Sequence, residues 1–405
     1  MNFTKLPVHE ADWILLLGLS IIGLLSSAVY LCLVVVAARR YKGNARAAAE
    51  SLRDAAETSW PPVTILKPVH GMEAALEKNL ESFFLQDYPE YEIIFGAREA
   101  SDPALQVVEK LRQRHSQVKS RIVLSGLPTW PNAKVFSQQK MLPFMSNRFI
   151  VMSDSDVCVG PELLRNVVAP LLDEKVGLIT CPYRGIPAQG IGSNLEALGM
   201  SVEMTSGVIV ADMLEGMRFA LGPVTACRRE VLDKIGGFPE VADYYSDDFE
   251  LGRKIWAAGY SVIFSHYIVE HVLTPRPFWR TIKDQLRWMK STRYSRPAGH
   301  VGSGLTFAVP FGILGLVAAI ALGKPELGIG LLLLAWVNRM VQSIAVGWGI
   351  GKDPRALSLC WLYPVRDLLG FLLWIGSFSG RTFYWRGEKY YFVKGGRIIA
   401  ADRAK

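Results

Sequence analysis

The sequence predicts an α/β fold with a mostly parallel sheet, held to a membrane at both ends. Three observations predict it. Strand-like apolar runs alternate with amphipathic helical runs between residues 61 and 172. Long uncharged stretches bracket the polar middle of the chain. In "VMSDSDVCVG" an apolar run ends abruptly in Asp154 and Asp156, at the strand end where such sheets bind ligands.

The membrane segments come first. Trp13 to Ala38 runs 26 residues without a charge and is closed by Arg39, Arg40 and Lys42. That is long enough to cross a bilayer. Asp12 and Glu10 precede it and no basic segment does, which argues against a signal peptide. The basic flank places the polar middle of the chain in the cytoplasm. Three further runs lie late in the chain: Leu305 to Gly323, Leu327 to Gly351 and Ala356 to Gly380. Arg339 interrupts the second, and Arg366 with Asp367 the third. The expected organisation is an anchor over 1–42, a polar helical linker over 43–60, a cytoplasmic domain over 61–280, a basic-aromatic interfacial segment over 281–303, membrane helices over 304–380 and a basic tail over 381–405. That tail carries seven basic residues, so it belongs in the cytoplasm. Three full late crossings would leave it outside. The last run is therefore expected to dip without crossing, because Pro364, Arg366 and Asp367 leave only Leu368 to Phe378 uninterrupted. Arg366 and Asp367 would then sit near the headgroups.

Within the middle, "VTILKPV", "YEIIFGA", "RIVLS" and "RFIVMSD" read as strands. "AALEKNLESFFLQ", "PALQVVEKLRQRH" and "PELLRNVVAPLL" read as helices between and after them. Asp102 comes after the second strand, as Asp154 and Asp156 come after the fourth. Two carboxylates two residues apart suit Mg²⁺ or Mn²⁺ on a diphosphate. Lys134, in "WPNAKV", lies in the loop between and can meet phosphate. In "YYSDDFELGRKIWAAG" Ser246 can cap a helix whose first turn holds Asp247 and Asp248. The helix dipole favours their ionised forms, as a catalytic base requires.

The net charge of +8 matches attraction to anionic lipid headgroups. No basic patch carries the aromatic platform of a nucleic-acid site. The five cysteines lack metal spacing and disulfide density, in keeping with a reducing compartment or plain burial. "FWRTIKDQLRWMKSTRYSRP" is basic and aromatic, an interfacial collar before the late membrane runs.

"ILKPVHGMEAALEKNLESFFLQDYPEYEIIFGAREASDPA", "SDSD", "GGF", "DD" and "QLRW" together resemble family-2-type inverting glycosyltransferases. More closely they resemble ceramide glucosyltransferases and the bacterial enzymes associated with hopanoid glycosylation. The resemblance spans Pro61 to Arg296 and the membrane layout. It implies a glycosyltransferase-A-like domain with a Rossmann-like nucleotide-binding half, a divalent cation, a UDP-sugar donor, a membrane lipid as acceptor and, from the bacterial members, an inner-membrane location. It places Pro68, Glu99, Asp102 and Lys134 at the nucleotide sugar. Asp154 is placed on the metal and the donor, with Asp156 as second acid. Asp248 falls on the base, Arg287 and Trp288 on the cleft-closing pair, and Asp247 and Gln285 at the acceptor side. Asp284 stands where the family has Gln or Arg, and the glutamine comes one place later, at Gln285. "FALGPVTACRREVL" and "SVEMTSGVIVADMLEG" are expected near the acceptor mouth. A processive polysaccharide synthase shares these motifs but needs more membrane helices. A non-catalytic scaffold of the same fold would show degenerate acids, and here all are present.

Overall fold

In the computed structural model, residues 9–54, 59–385 and 387–401 are described. The sheet is built from β1 (Val63–Pro68), β2 (Tyr91–Ala97), β3 (Lys119–Leu124) and β4 (Phe149–Ser153), all mutually parallel. Side chains alternate across a strand, so Ile65, Ile93 and Val151 enter one apolar cluster while Leu66, Ile94, Ile150 and Met152 enter the other. Both faces are covered, which is why these strands read as continuous apolar runs. β5 (Val157–Cys158), β6 (Val176–Thr180), β7 (Tyr183–Ile186), β8 (Val224–Arg228), β9 (Ser261–Phe264) and β10 (Val269–Val272) come next in the chain. The large sheet has the order β3-β2-β1-β4-β8-β6-β9, with β8 antiparallel to both its neighbours. The chain winds outward from β1 to β3 and then returns to the other side of β1 for β4. That reversal opens a crevice at the carboxyl ends of β1 and β4. A second sheet, β5-β10-β7, lies beside that crevice.

The N-terminal helix runs unbroken over Glu10–Asp54. Its 45 residues, at about 1.5 Å each, reach well past the roughly 30 Å of a bilayer core. The segment expected as a separate linker continues this helix as far as Asp54, since "ARAAAESLRD" is rich in strong helix formers; residues 55–58 lie outside the described residues. Small residues let the membrane helices approach closely. Phe311 packs on Gly23, and Gly312 faces Ala335.

The late runs differ in part from expectation. The first forms the helix Val309–Ala321, bent by 49° from the helical segment Pro297–Thr306 that leads into it. The second is one long apolar helix, Pro325–Trp348. The third is split as expected, into Pro354–Ser358 and the 15-residue helix Tyr363–Ser377, and Pro364 stands in the first turn of the latter, where its missing N–H costs nothing. Arg366 and Asp367 lie inside that helix. Both are buried, not placed near headgroups. Asp367 Oδ2 accepts from the N–H groups of Ala308 and Val309 at 3.0 and 2.8 Å, and its Oδ1 lies 3.3 Å from Arg339. Burial here is possible because these charges are partnered. A further helix, Ile191–Glu215, is also long and apolar enough to cross a membrane. Glu196 and Glu203 break its apolar run in the sequence and hide it.

The basic tail folds. β11 (Thr382–Trp385), β12 (Glu388–Phe392) and β13 (Ile398–Ala400) form an antiparallel sheet around Phe383, Tyr390, Phe392 and Ile398. Gly387 and Gly395 take positive φ at the reversals, a conformation that favours glycine. This sheet docks on the large domain: the Ile398 N–H donates to the Asp243 carbonyl at 2.7 Å, and Arg397 Nε donates to the Tyr244 hydroxyl at 3.1 Å. The tail therefore lies on the same side as the sheet domain.

Candidate active site

Four acids converge on the crevice from two parts of the chain. Asp154 and Asp156 come directly after β4. Asp247 and Asp248 open the helix Asp247–Ala257. Gly222, on the loop before β8, lies where the two groups meet: a Cβ there would stand 3.2 Å from Asp248 Oδ2 and 3.7 Å from Asp154 Oδ2. Lys134 Nζ bridges them, 2.9 Å from Asp247 Oδ2 and 3.4 Å from Asp154 Oδ1. Burial alone would push the Lys134 ammonium down. The charges of Asp154, Asp247 and Asp248 reverse that and hold it above its usual range. Asn132 Nδ2 fixes Asp247 Oδ1 at 3.0 Å, and Asn132 Oδ1 caps the helix that carries Lys134. The expected cap on the acid pair is absent: the Ser246 hydroxyl bonds the Ser291 hydroxyl of the collar at 2.8 Å. Burial, then the charge of Asp247, raises the Asp248 carboxyl to about 7, against the pull of Lys134.

Beneath Asp154 lies Lys67, fully buried near the end of β1. Its ammonium donates to the Ser153 hydroxyl at 3.0 Å and to the Asp154 carbonyl, and sits over the Phe83 ring. Burial pushes it down to about 7, opposed by Asp154, Asp156 and Glu73. The loop after β1 ties the acids together. Glu73 accepts from the Ser155 hydroxyl at 2.9 Å, and burial together with the charge of Asp156 raises it. Asp102 accepts from the Gly71 and Ala104 N–H groups at 2.9 and 3.0 Å and pairs with His70 at 2.8 Å. Burial works against its ionisation, but these bonds outweigh burial and hold it below the carboxylate range.

The remaining positions singled out from the sequence are scattered around this centre. Pro68 ends β1 opposite Gly96. Glu99 is exposed; its carboxylate accepts from the Ser101 hydroxyl and its carbonyl from the Asp102 N–H. Arg287 is taken up by Asp284 at 2.7 Å, the Tyr245 hydroxyl at 2.7 Å and the Tyr384 carbonyl, so it ties the collar helix Phe278–Ser295 to the C-terminal sheet. Trp288 packs beside Tyr183, Met200 and Leu273. Tyr183 in turn feels the charges of Asp248, Asp156 and Asp154, behind burial, in a hydroxyl raised above its usual range. Gln285 is buried and accepts from Arg366 Nη1 at 2.6 Å. Asp284 is held by Arg276 and Arg287.

Four contributors escape a reading of the sequence: Lys67, Glu73, Tyr183 and His271. The signal for Lys67 is a lone cation in the apolar strand "VTILKP". His271 leaves no local signal, because only the pairing of β10 with β5 brings it to Asp156, 3.5 Å away.

The residues after β4 suit a divalent cation. Asp156 Oδ1 is buried without a hydrogen-bond partner, and a buried carboxylate oxygen in that state is costly unless a cation meets it. Among the described residues no three His, Cys, Asp or Glu side chains converge on one ion. Any ion there would draw its remaining ligands from diphosphate and water.

The mostly parallel sheet, with its crevice at the switch point and acids at its mouth, is a glycosyltransferase-A-like fold. The profile of glycosyl transferase family 21 matches residues 19–398, and the chain belongs to that family. It is 25% identical over 364 residues to ceramide glucosyltransferase 1 of Caenorhabditis elegans, covering 86% of this chain and 75% of that protein. Ceramide glucosyltransferase 3 of the same organism is 24% identical over 353 residues, covering 85% of this chain and 75% of that protein. Among solved structures, a mannosyltransferase from Pyrobaculum calidifontis in complex with GDP-Man and Mn²⁺ aligns with a TM-score of 0.46 at 17% identity, over 86% of this chain and 99% of that one.

Proposed function

We propose that this protein transfers a hexosyl unit from a UDP-sugar to a primary hydroxyl of a membrane lipid, with inversion. The observation that carries the reading is the meeting of Asp154 and Asp248 at Gly222, with Lys134 between them. Asp154 and Asp156 would hold the divalent cation, which supplies charge neutralisation on the departing diphosphate. Lys134 adds a fixed positive charge to the same place. Asp102, with His70 and Gly71, walls the nucleotide side of the crevice. Asp248 accepts the proton from the acceptor hydroxyl at Oδ as that oxygen attacks the anomeric carbon from the face opposite the diphosphate. A carboxyl raised to about 7 binds that proton more strongly than an ordinary aspartate does. One displacement inverts the configuration, and no second nucleophilic carboxylate is needed. Arg287, through Tyr245 and the C-terminal sheet, holds the segment that leads into the acid pair.

The lipid acceptor is supported by the apolar helix Ile191–Glu215, which runs past Trp288 and Tyr183. It is supported further by the likeness to ceramide glucosyltransferases, which also favours ceramide over a hopanoid polyol. The test is direct. Purified protein in nanodiscs is given UDP-glucose, UDP-N-acetylglucosamine or GDP-mannose with ceramide or a hopanoid polyol, and the lipids are read by mass spectrometry. A UDP-sugar-dependent glycolipid is expected. Transfer from GDP-mannose alone, or to water-soluble acceptors alone, would overturn the reading.

A further inference from the structure

Lys67 stands near the end of β1, a strand paired with β2 on one side and β4 on the other. Its side chain shares a face with Val63 and Ile65, against the apolar cluster that holds Phe83. It is 0% exposed. A buried ammonium is costly unless an opposite charge meets it closely. Among the described residues the partners of Lys67 are neutral: the Ser153 hydroxyl at 3.0 Å, the Asp154 carbonyl, and the Phe83 ring with its centroid 3.6 Å away. The Arg339–Asp367 pair in the bundle has the ionic contact that Lys67 lacks. An apolar side chain would suit this strand better, so stability does not account for the lysine. What it holds does.

Lys67 grips the turn that carries Asp154 and Asp156. The Ser153 hydroxyl also donates to the Asp154 carbonyl, at 3.2 Å, so that one oxygen is held by two donors. Other grips come from the margins of the crevice. The Asp154 N–H donates to the Pro223 carbonyl at 3.3 Å, the Ser155 hydroxyl to Glu73 Oε2 at 2.9 Å, and the Val272 N–H to the Asp156 carbonyl at 2.8 Å. The grip of Lys67 is anchored in β1, which its two ladders hold rigid. The peptide after Asp154 is thereby fixed, and with it the direction of the Asp154 side chain. Such precision matters to a metal ligand, whose distance must be right to about 0.2 Å.

We propose that Lys67 is the positioning residue of the cation site: by holding the Asp154 carbonyl it sets the carboxylates of Asp154 and Asp156 for a divalent ion on the donor diphosphate. The inference rests on the cation reading above and adds the residue that shapes the site. Lys67 acts through the backbone and touches neither ion nor donor. Its charge and its grip have opposite consequences. Removing the charge alone would tighten the ion, and removing the grip loosens it. The grip governs, because loss of a group that orients metal ligands typically weakens the ion about 10- to 100-fold.

The experiment uses the full chain in nanodiscs, with Mn²⁺ and UDP as probes. Bound Mn²⁺ is measured by electron paramagnetic resonance, independently of turnover. Lys67→Met fills similar space without a donor. It should weaken Mn²⁺ about 10-fold or more, raise the donor KM and leave the acceptor KM within about twofold. Turnover lost at low Mn²⁺ should return at high Mn²⁺, which a purely structural fault would not allow. Mn²⁺ bound as tightly as by the wild type, or more tightly, overturns the inference. So does a loss of turnover that excess Mn²⁺ leaves in place. If Lys67→Met fails to fold, Ser153→Ala is measured in the same way. It takes one acceptor from Lys67 and one donor from the Asp154 carbonyl. Mn²⁺ binding about threefold weaker is expected, as for one neutral hydrogen bond lost, and wild-type affinity overturns the proposal. A wild type that binds no Mn²⁺ in the presence of UDP overturns the cation reading itself, and this inference with it.

Discussion

The crevice and the helix bundle both bury charge, and they do so in opposite ways. In the bundle the Arg339–Asp367 pair is matched. Arg339 meets Asp367, Ser27 and Asn338, and Asp367 meets backbone N–H groups with its second oxygen. In the crevice five acids, Asp154, Asp156, Asp247, Asp248 and Glu73, face Lys134, Lys67 and, beside Asp156, His271. The first arrangement is complete without a ligand and serves stability. The second holds an excess of negative charge, and only cationic or proton-donating partners relieve it. Charge balance therefore separates structural from functional burial here better than depth does.

The largest expected effect is from metal removal: with excess EDTA, glycolipid formation should stop and return on adding Mg²⁺ or Mn²⁺, as tracked by product mass spectrometry. Full turnover in EDTA would show that the negative excess needs no cation. Asp248→Asn should lower kcat by about 10²- to 10⁴-fold with the melting temperature kept. If Asp247→Asn were the crippling change and Asp248→Asn mild, the base would be Asp247. In the bundle, Asp367→Ala should do the reverse. It strands Arg339 and two helix-terminal N–H groups, at a cost of about 3–5 kcal/mol, read as a lower melting temperature in detergent or loss of folded protein. A variant with wild-type stability and lost turnover would move Asp367 to the functional side.

The smallest effect is in pH dependence. Asp248 must be ionised to accept a proton, and its carboxyl is raised to about 7. Activity should therefore rise with pH between about 6 and 8, in step with the unprotonated fraction. Lys134 lowers that value through its charge, so Lys134→Met should move the rising limb to higher pH. A limb that stayed in place would show that Lys134 does not govern the base.

The parallel half of the fold was legible because β1, β2 and β3 pair in chain order and the strands have two apolar faces. The strand-end acids and the acid pair were legible for the same reason, since their helices and strands are defined by local pattern. What escaped depends on distant contacts. Lys67 looks like any lysine until the Ser153 and Asp154 oxygens are placed above it. His271 reaches Asp156 only through the second sheet. The tail reads as a run of positive charge, although "TFYW", "EKYYF" and "RIIA" with their glycines carry a weak sheet pattern that seven basic residues mask. Arg366 and Asp367 suggested a break near the headgroups because the sequence does not show Arg339, Gln285 or Glu203 waiting for them. The cap expected from Ser246 failed because a hydroxyl on the collar competes for it.

The docked C-terminal sheet also sets an order of events. Ile398 and Arg397 grip Asp243 and Tyr244, a few residues before the acid pair. They are synthesised after the last of the apolar helices, Tyr363–Ser377. The segment leading into the acid pair therefore stays ungripped until that helix has been made. A chain stopped short of the last strand carries all four acids yet lacks this clasp, so the acid pair takes its final place only when the C-terminal sheet has formed.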